Sequence, residues 1–154
     1  MSPGPGPGPG RLFRGVAVAE AVTWALLLAG MFLKYVTQTT ELGVRVFGML
    51  HGVVFVTYCV TTVVVAVDQR WRAGRTLLGL VAAVPPFASV LFHRHAVRRD
   101  ALAPAWRLAG DPARTPLELA VAWLLAHPMR GLLAGAVGVA ALTGVALLVG
   151  PPAG

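Results

Sequence analysis

The chain has 154 residues, 56% of them hydrophobic and only 12% charged, with a mean hydropathy of +0.73. Ordinary globular chains carry about 25% charged residues, so this one has too little polar surface to clothe a water-soluble core. The formal net charge is +7, and twelve of the thirteen basic residues are Arg. They sit in short clusters beside apolar stretches, such as Arg70, Arg72, Arg75 and Arg94, Arg98, Arg99. That is the pattern of membrane-topology signals and anionic-lipid contacts, and it argues against a nucleic-acid partner. A single cysteine, Cys59, excludes an intramolecular disulfide and a Cys-based metal cage.

Residues 1–10 form a Pro-Gly repeat, expected to be a disordered tail. The first span follows over residues 15–33. It is too long for a signal peptide's apolar core, contains Glu20 and lacks a following small-residue cleavage site, so it reads as an uncleaved helix. The second span, residues 46–67, is rich in β-branched residues. An unpaired strand cannot satisfy its backbone in lipid, so helix is expected there too. The third, residues 76–92, is broken by Pro85-Pro86. Residues 96–128 read as an Arg- and Pro-rich loop, with a short surface helix near 101–108 and an interfacial helix over 117–127. Residues 129–150 form the fourth span; 131–150 carry no charge and, at about 1.5 Å rise per residue, can cross a hydrocarbon core. The expected fold is all-α: a three-helix membrane domain over residues 11–95 plus a C-terminal transmembrane helix.

Charge counting does not settle the layout. Four crossings with an internal N-terminus export the long Arg-rich loop, and the reverse orientation exports Arg70, Arg72 and Arg75. Making the Pro-Pro segment a re-entrant hairpin puts every cluster except Lys34 and Arg45 on one side. Non-helical backbone at membrane depth needs protein or water around it, and a small chain offers little of either. Four crossings therefore remain the reading.

The polar residues inside the spans are the candidates for chemistry, because each is costly there. Glu20 lies in the first span; His51 and Tyr58 lie in the second. On the second span His51, Phe55, Tyr58 and Thr62 share one face. Gly48 and Gly52 form a small-xxx-small pair that invites a close helix, as do Gly131/Gly135, Ala134/Gly138 and Ala140/Gly144 on the last span. With spans one and two antiparallel about residue 40, Glu20 falls level with Tyr58, Cys59 and Thr61. With spans two and three turning near residue 71, Tyr58 falls level with Pro85, and His51 with Phe92 and His93. The expectation is a polar seam of Glu20, His51 and Tyr58 facing the bundle interior, against the plainer alternative of hydrogen-bonded packing around a kink. No Walker A loop, dinucleotide-binding GxGxxG or HExxH is present. Ser2 and Ser89 lack a nucleophile-elbow context.

Several of these residues recur in order. The first span carries Glu20 and Thr23-Trp24, followed by Gly30-Met31-Phe32-Leu33-Lys34-Tyr35. The second carries His51-Gly52-Val53-Val54-Phe55-Val56-Thr57-Tyr58, and the third Pro86-Phe87. This order and spacing, over residues 14–94, resembles the domain of unknown function 3817, the YdzA-like small bacterial integral membrane proteins. The resemblance implies a bacterial membrane fold with no established activity. It adds Thr23, Trp24, Lys34, Tyr35, Gly52, Phe55 and Pro86 as motif residues.

The expected function is that of a non-enzymatic accessory or structural protein, multi-pass in the bacterial plasma membrane. No catalytic residue, metal or cofactor is assigned. The expected partners are the bilayer and either a second copy or a larger membrane protein. The alternatives are a small-molecule or proton-coupled carrier using Glu20, His51 and Tyr58, and a haem or redox subunit using His51 with His93.

Overall fold

The computed structural model describes residues 6–149 and contains no strand among them. Two long helices, α1 (Pro9–Tyr35) and α2 (Leu42–Asp68), form the frame. Each is long and apolar enough to cross a membrane. They are antiparallel, as contacts along their length show: the Phe13 and Tyr58 rings lie 5.6 Å apart, Thr23 bonds His51, and Gly30 meets Gly43. A Cβ on Gly30 would lie 2.8 Å from the Gly43 carbonyl carbon, so the two backbones touch there. Between helices in lipid, where burial of apolar surface no longer drives association, such close backbone packing is a main source of cohesion.

These contacts place the Tyr58 ring beside Phe13. The expected register was wrong by about two turns, because α1 runs beyond the start of α2: Gly43, one residue into α2, already lies opposite Gly30. The close approach also falls at Gly30/Gly43, whereas a Cβ on Gly52 would meet nothing within 4 Å.

The third apolar stretch is two helices, α3 (Ala73–Val81) and α4 (Ala88–Arg98), joined by a break at residues 82–87. The Trp71 indole N–H, just before α3, donates to the carbonyl of Ala101, just after α4, at 2.7 Å. Both ends of this segment therefore lie at one end of the α1–α2 pair. In between, α3 runs inward past Tyr58, whose hydroxyl donates to the Gly79 carbonyl at 3.0 Å. The tip reaches Trp24, whose indole N–H points at the Ala83 carbonyl at 3.4 Å. Then α4 returns along α1, with Ser89 at Ala17 and Phe92 against Phe13. Trp24 is about 22 Å along α1 from Pro9, so the tip passes the middle of that helix and turns back. The expected third crossing is thus a hairpin, and Phe92 and His93 come back to the Trp71 end rather than lying beside His51.

Proline explains how the tip turns. Pro85 and Pro86 have no N–H to leave unpaired at that depth. The neighbouring Ala83, Val84 and Ala88 N–H groups are taken up locally by the carbonyls of Leu80, Val81 and Pro85. Phe87 then takes a left-handed backbone, φ 66°, before α4 begins. On the inner side, a Cβ on Gly79 would lie 3.0 Å from both the Phe92 ring and Thr62, so any larger residue would press on these two side chains.

The Arg- and Pro-rich segment closes the Trp71 end. No surface helix forms over 101–108; only a 3-10 turn, Arg107–Ala109, is present. Side chains at the end of α2 capture backbone N–H groups of this segment instead: Gln69 accepts from Ala103, and Asp68 accepts from Arg107 and Leu108. Arg107 in turn donates to the Asp68 and Val67 carbonyls, satisfying the last turn of α2. The same guanidinium meets Glu118 at 2.6 Å, in the first turn of α5 (Pro116–Ala126). Thr115 caps α5 through the Glu118 N–H. A sharp bend of 114° separates α5 from α6 (Pro128–Val149); as a bent pair they too are long and apolar enough to cross a membrane. The expected end of the last span, Gly150, and residues 1–5 of the tail lie outside the described residues. The rest of the tail is built in. Pro9 begins α1, and the Pro7 carbonyl accepts from the Trp106 indole at 2.9 Å.

Glu118 links this closure to pH. The Arg114 N–H and the Arg107 guanidinium hold its carboxyl down to about 2, from an ordinary value of 4.5. A lowered folded-state value stabilises the knot fully above about 4.5, and that contribution fades as pH falls towards about 2. Tryptophan emission, with Trp71 and Trp106 close to the knot, is expected to show an acid transition in that window. Glu118→Gln should remove it.

Candidate polar seam

Glu20, His51 and Tyr58 are all buried inside the bundle, but each finds a different partner. The Ser89 hydroxyl, on α4, donates to the Glu20 carboxyl and lies 3.2 Å from the Ala17 carbonyl. Thr23 Oγ1 donates to the Glu20 main-chain carbonyl at 2.9 Å and lies 3.0 Å from His51 Nδ1. A hydroxyl has one proton, and a carbonyl can only accept. With the hydroxyl proton on the Glu20 carbonyl, His51 Nδ1 is left to donate to Thr23. The ring packs at 4.5 Å on Trp24 and at 6.2 Å on Phe55. Tyr58 serves α3 through Gly79, and its main-chain carbonyl accepts from Thr62.

The arrangement is a ladder. Its rungs run from α1 to α2 at Thr23–His51, from α1 to α4 at Glu20–Ser89, from α1 to the hairpin tip at Trp24–Ala83, and from α2 to α3 at Tyr58–Gly79. Three of the four reach the hairpin. Of the other motif residues, Lys34 pairs with Glu41 at 3.4 Å and lies over the Tyr35 ring at the far end, while Pro86 stands in the exposed tip.

Sequence reasoning missed Ser89, Gly79 and Trp71 as partners, together with the Asp68–Arg107–Glu118 knot. Ser89 was passed over because it was tested only as a nucleophile. Its place one turn past a double proline in an apolar stretch was the available signal.

His93 packs on Phe13, its ring centroid 6.0 Å away, ten residues below the level of Thr23 and His51. That is about 15 Å along α1, so the two histidines do not bracket one iron. Among the described residues no group of three or more His, Cys, Asp or Glu side chains could hold a metal ion. Two cavities open at the Arg-rich end. One of about 270 Å³ lies between α1 and α4, and one of about 1360 Å³ lies under the tail and the 102–111 segment; neither is lined by Glu20, His51 or Tyr58.

Comparison with known proteins agrees with this membrane frame. The chain is 50% identical over 107 residues to a Streptomyces coelicolor protein named "Putative membrane protein SCO5905". The match takes in 69% of this chain but only 12% of that relative, which is far longer. No solved structure matches the chain. Residues 10–98, which hold α1 to α4 and every rung of the ladder, match the model of a domain of unknown function, DUF3817. The chain is a membrane protein of the DUF3817 family.

Proposed function

We propose that this protein is a non-enzymatic accessory module of the bacterial plasma membrane, multi-pass, built to hold a re-entrant hairpin against two crossing helices. The observation that carries the reading is where the polar groups go. Trp24 and Tyr58 bind hairpin carbonyls, Glu20 binds Ser89, and His51 braces Thr23. Chemistry that could face a substrate is directed at the fold. The hairpin also removes the conflict in the charge count. The arginines at the start of α1, of 70–75 and of 94–114 fall at one end, and Lys34 and Arg45 at the other, which favours a cytoplasmic arginine end. The match to 12% of a long relative supports an accessory role, since there the matching stretch is one part of a larger chain. A larger membrane protein is the partner this favours.

One feature favours the carrier alternative: Glu20 Oε1 is buried with no hydrogen-bond partner among the described residues. Proton flux into liposomes reconstituted with the purified chain separates the two readings. The accessory reading predicts flux no greater than in empty liposomes, with and without a membrane potential. Flux that disappears in Glu20→Gln would replace it with a proton-coupled carrier.

A further inference from the structure

We propose that the groove between α1 and α4 at the arginine end is a binding site for one anionic phospholipid. Its phosphate would sit between Arg14 and Arg94, and an acyl chain would run along Val18 and Val90. The cavity of about 270 Å³ there is lined by Arg14, Ala17, Val18, Val90, His93 and Arg94, with no acidic side chain among them. Both arginines are exposed, and neither makes an ion pair among the described residues. Each stands free to meet a ligand.

The order of these residues in depth has the polarity of a lipid. Phe92 against Phe13 sets the level of the two arginines near the outer end of α1. Ala17 and Val18 lie one turn deeper on α1, and Val90 lies one turn deeper on α4. A cationic rim thus opens onto an apolar floor in one continuous groove, at the depth where headgroup gives way to acyl chain. Arginine suits the rim, because its planar fork can give two N–H donors to one phosphate. A soluble anion would use the rim and leave the apolar floor empty; a lipid uses both. The hairpin makes the site, since only a returning α4 brings Arg94 beside Arg14. The fixed pair distinguishes this groove from the diffuse attraction of a basic surface for anionic lipid.

The test is native mass spectrometry of the full chain, delipidated in detergent and titrated with phosphatidylglycerol or with phosphatidylcholine of the same acyl chains. The expected result is a single saturable phosphatidylglycerol adduct, favoured over phosphatidylcholine by on the order of tenfold. Arg14→Gln with Arg94→Gln should abolish that preference. Arg72→Gln with Arg75→Gln, an equal charge loss at the same end but off the groove, should keep it. Val18→Phe fills the exposed floor without changing charge and should also weaken the adduct. Three results would overturn the proposal: equal loss in both double variants, an adduct that survives Arg14→Gln with Arg94→Gln, or displacement of the lipid by glycerol phosphate at equal concentration.

Discussion

Gly30→Val is expected to leave almost no correctly folded protein, while Gly52→Val leaves the folded yield close to that of the native chain. Both glycines stand in the family motif, and composition does not tell them apart. At Gly30 a Cβ would lie 2.8 to 3.0 Å from the Gly43 carbonyl carbon, the Val44 nitrogen and the Gly43 oxygen. All three are backbone atoms of another helix and cannot turn aside. The helices must separate, and the Thr23–His51 and Phe13–Tyr58 contacts further along the same interface open with them. Overpacking a well-fitted site costs about 1–3 kcal/mol, sometimes more, and a backbone-to-backbone clash belongs at the upper end. At Gly52 the new side chain meets open space. Size-exclusion chromatography and thermal unfolding in detergent read both outcomes. A stable Gly30→Val protein would mean that the α1–α2 contact is not as described.

Ser89→Ala is expected to destabilise the protein more than Glu20→Leu does, although Glu20 is the costlier residue to bury. Removing the hydroxyl leaves a carboxyl in the bundle with neither oxygen bonded, since Oε1 already has no partner among the described residues. An orphaned buried polar group costs about 1–3 kcal/mol, and more when charged. Replacing the carboxyl with an apolar side chain removes that demand and leaves Ser89 the Ala17 carbonyl, 3.2 Å away. The same logic fixes the double variant: Ser89→Ala should cost little once Glu20 is Leu. The coupling from a thermal double-mutant cycle should fall within the range of about 0.5–3 kcal/mol found for directly bonded pairs. Additive effects would show that the two side chains do not depend on each other.

The apolar spans and the inward polar residues were legible because lipid punishes exceptions. A charge or phenol amid twenty apolar residues has few places to go, so Glu20, His51 and Tyr58 stood out on cost alone. Their partners were not legible. Levels were inferred from loop midpoints, and the overlap of Gly30 with Gly43 shifted the register by two turns. The Pro85-Pro86 break was visible, but a kink and a reversal look alike in sequence; the Trp71–Ala101 hydrogen bond separates them. Charge distribution preferred the hairpin, while exposed backbone at membrane depth spoke against it. Two prolines ease that objection, since they delete donors that would otherwise be orphaned. The Asp68–Arg107–Glu118 knot was hidden for another reason. Its members lie up to fifty residues apart, and Arg107 looks like any other topology signal until it is seen on the end of α2.

The ladder has a function only if the hairpin enters and leaves on one side, so sidedness is the most direct test. Single cysteines at Arg72→Cys and Arg99→Cys, each in a Cys59→Ala background, flank the hairpin at exposed positions. A membrane-impermeant maleimide applied to sealed vesicles of known orientation should label both from the same face, the cytoplasmic one. Labelling from opposite faces would make residues 73–98 a crossing and would contradict the account.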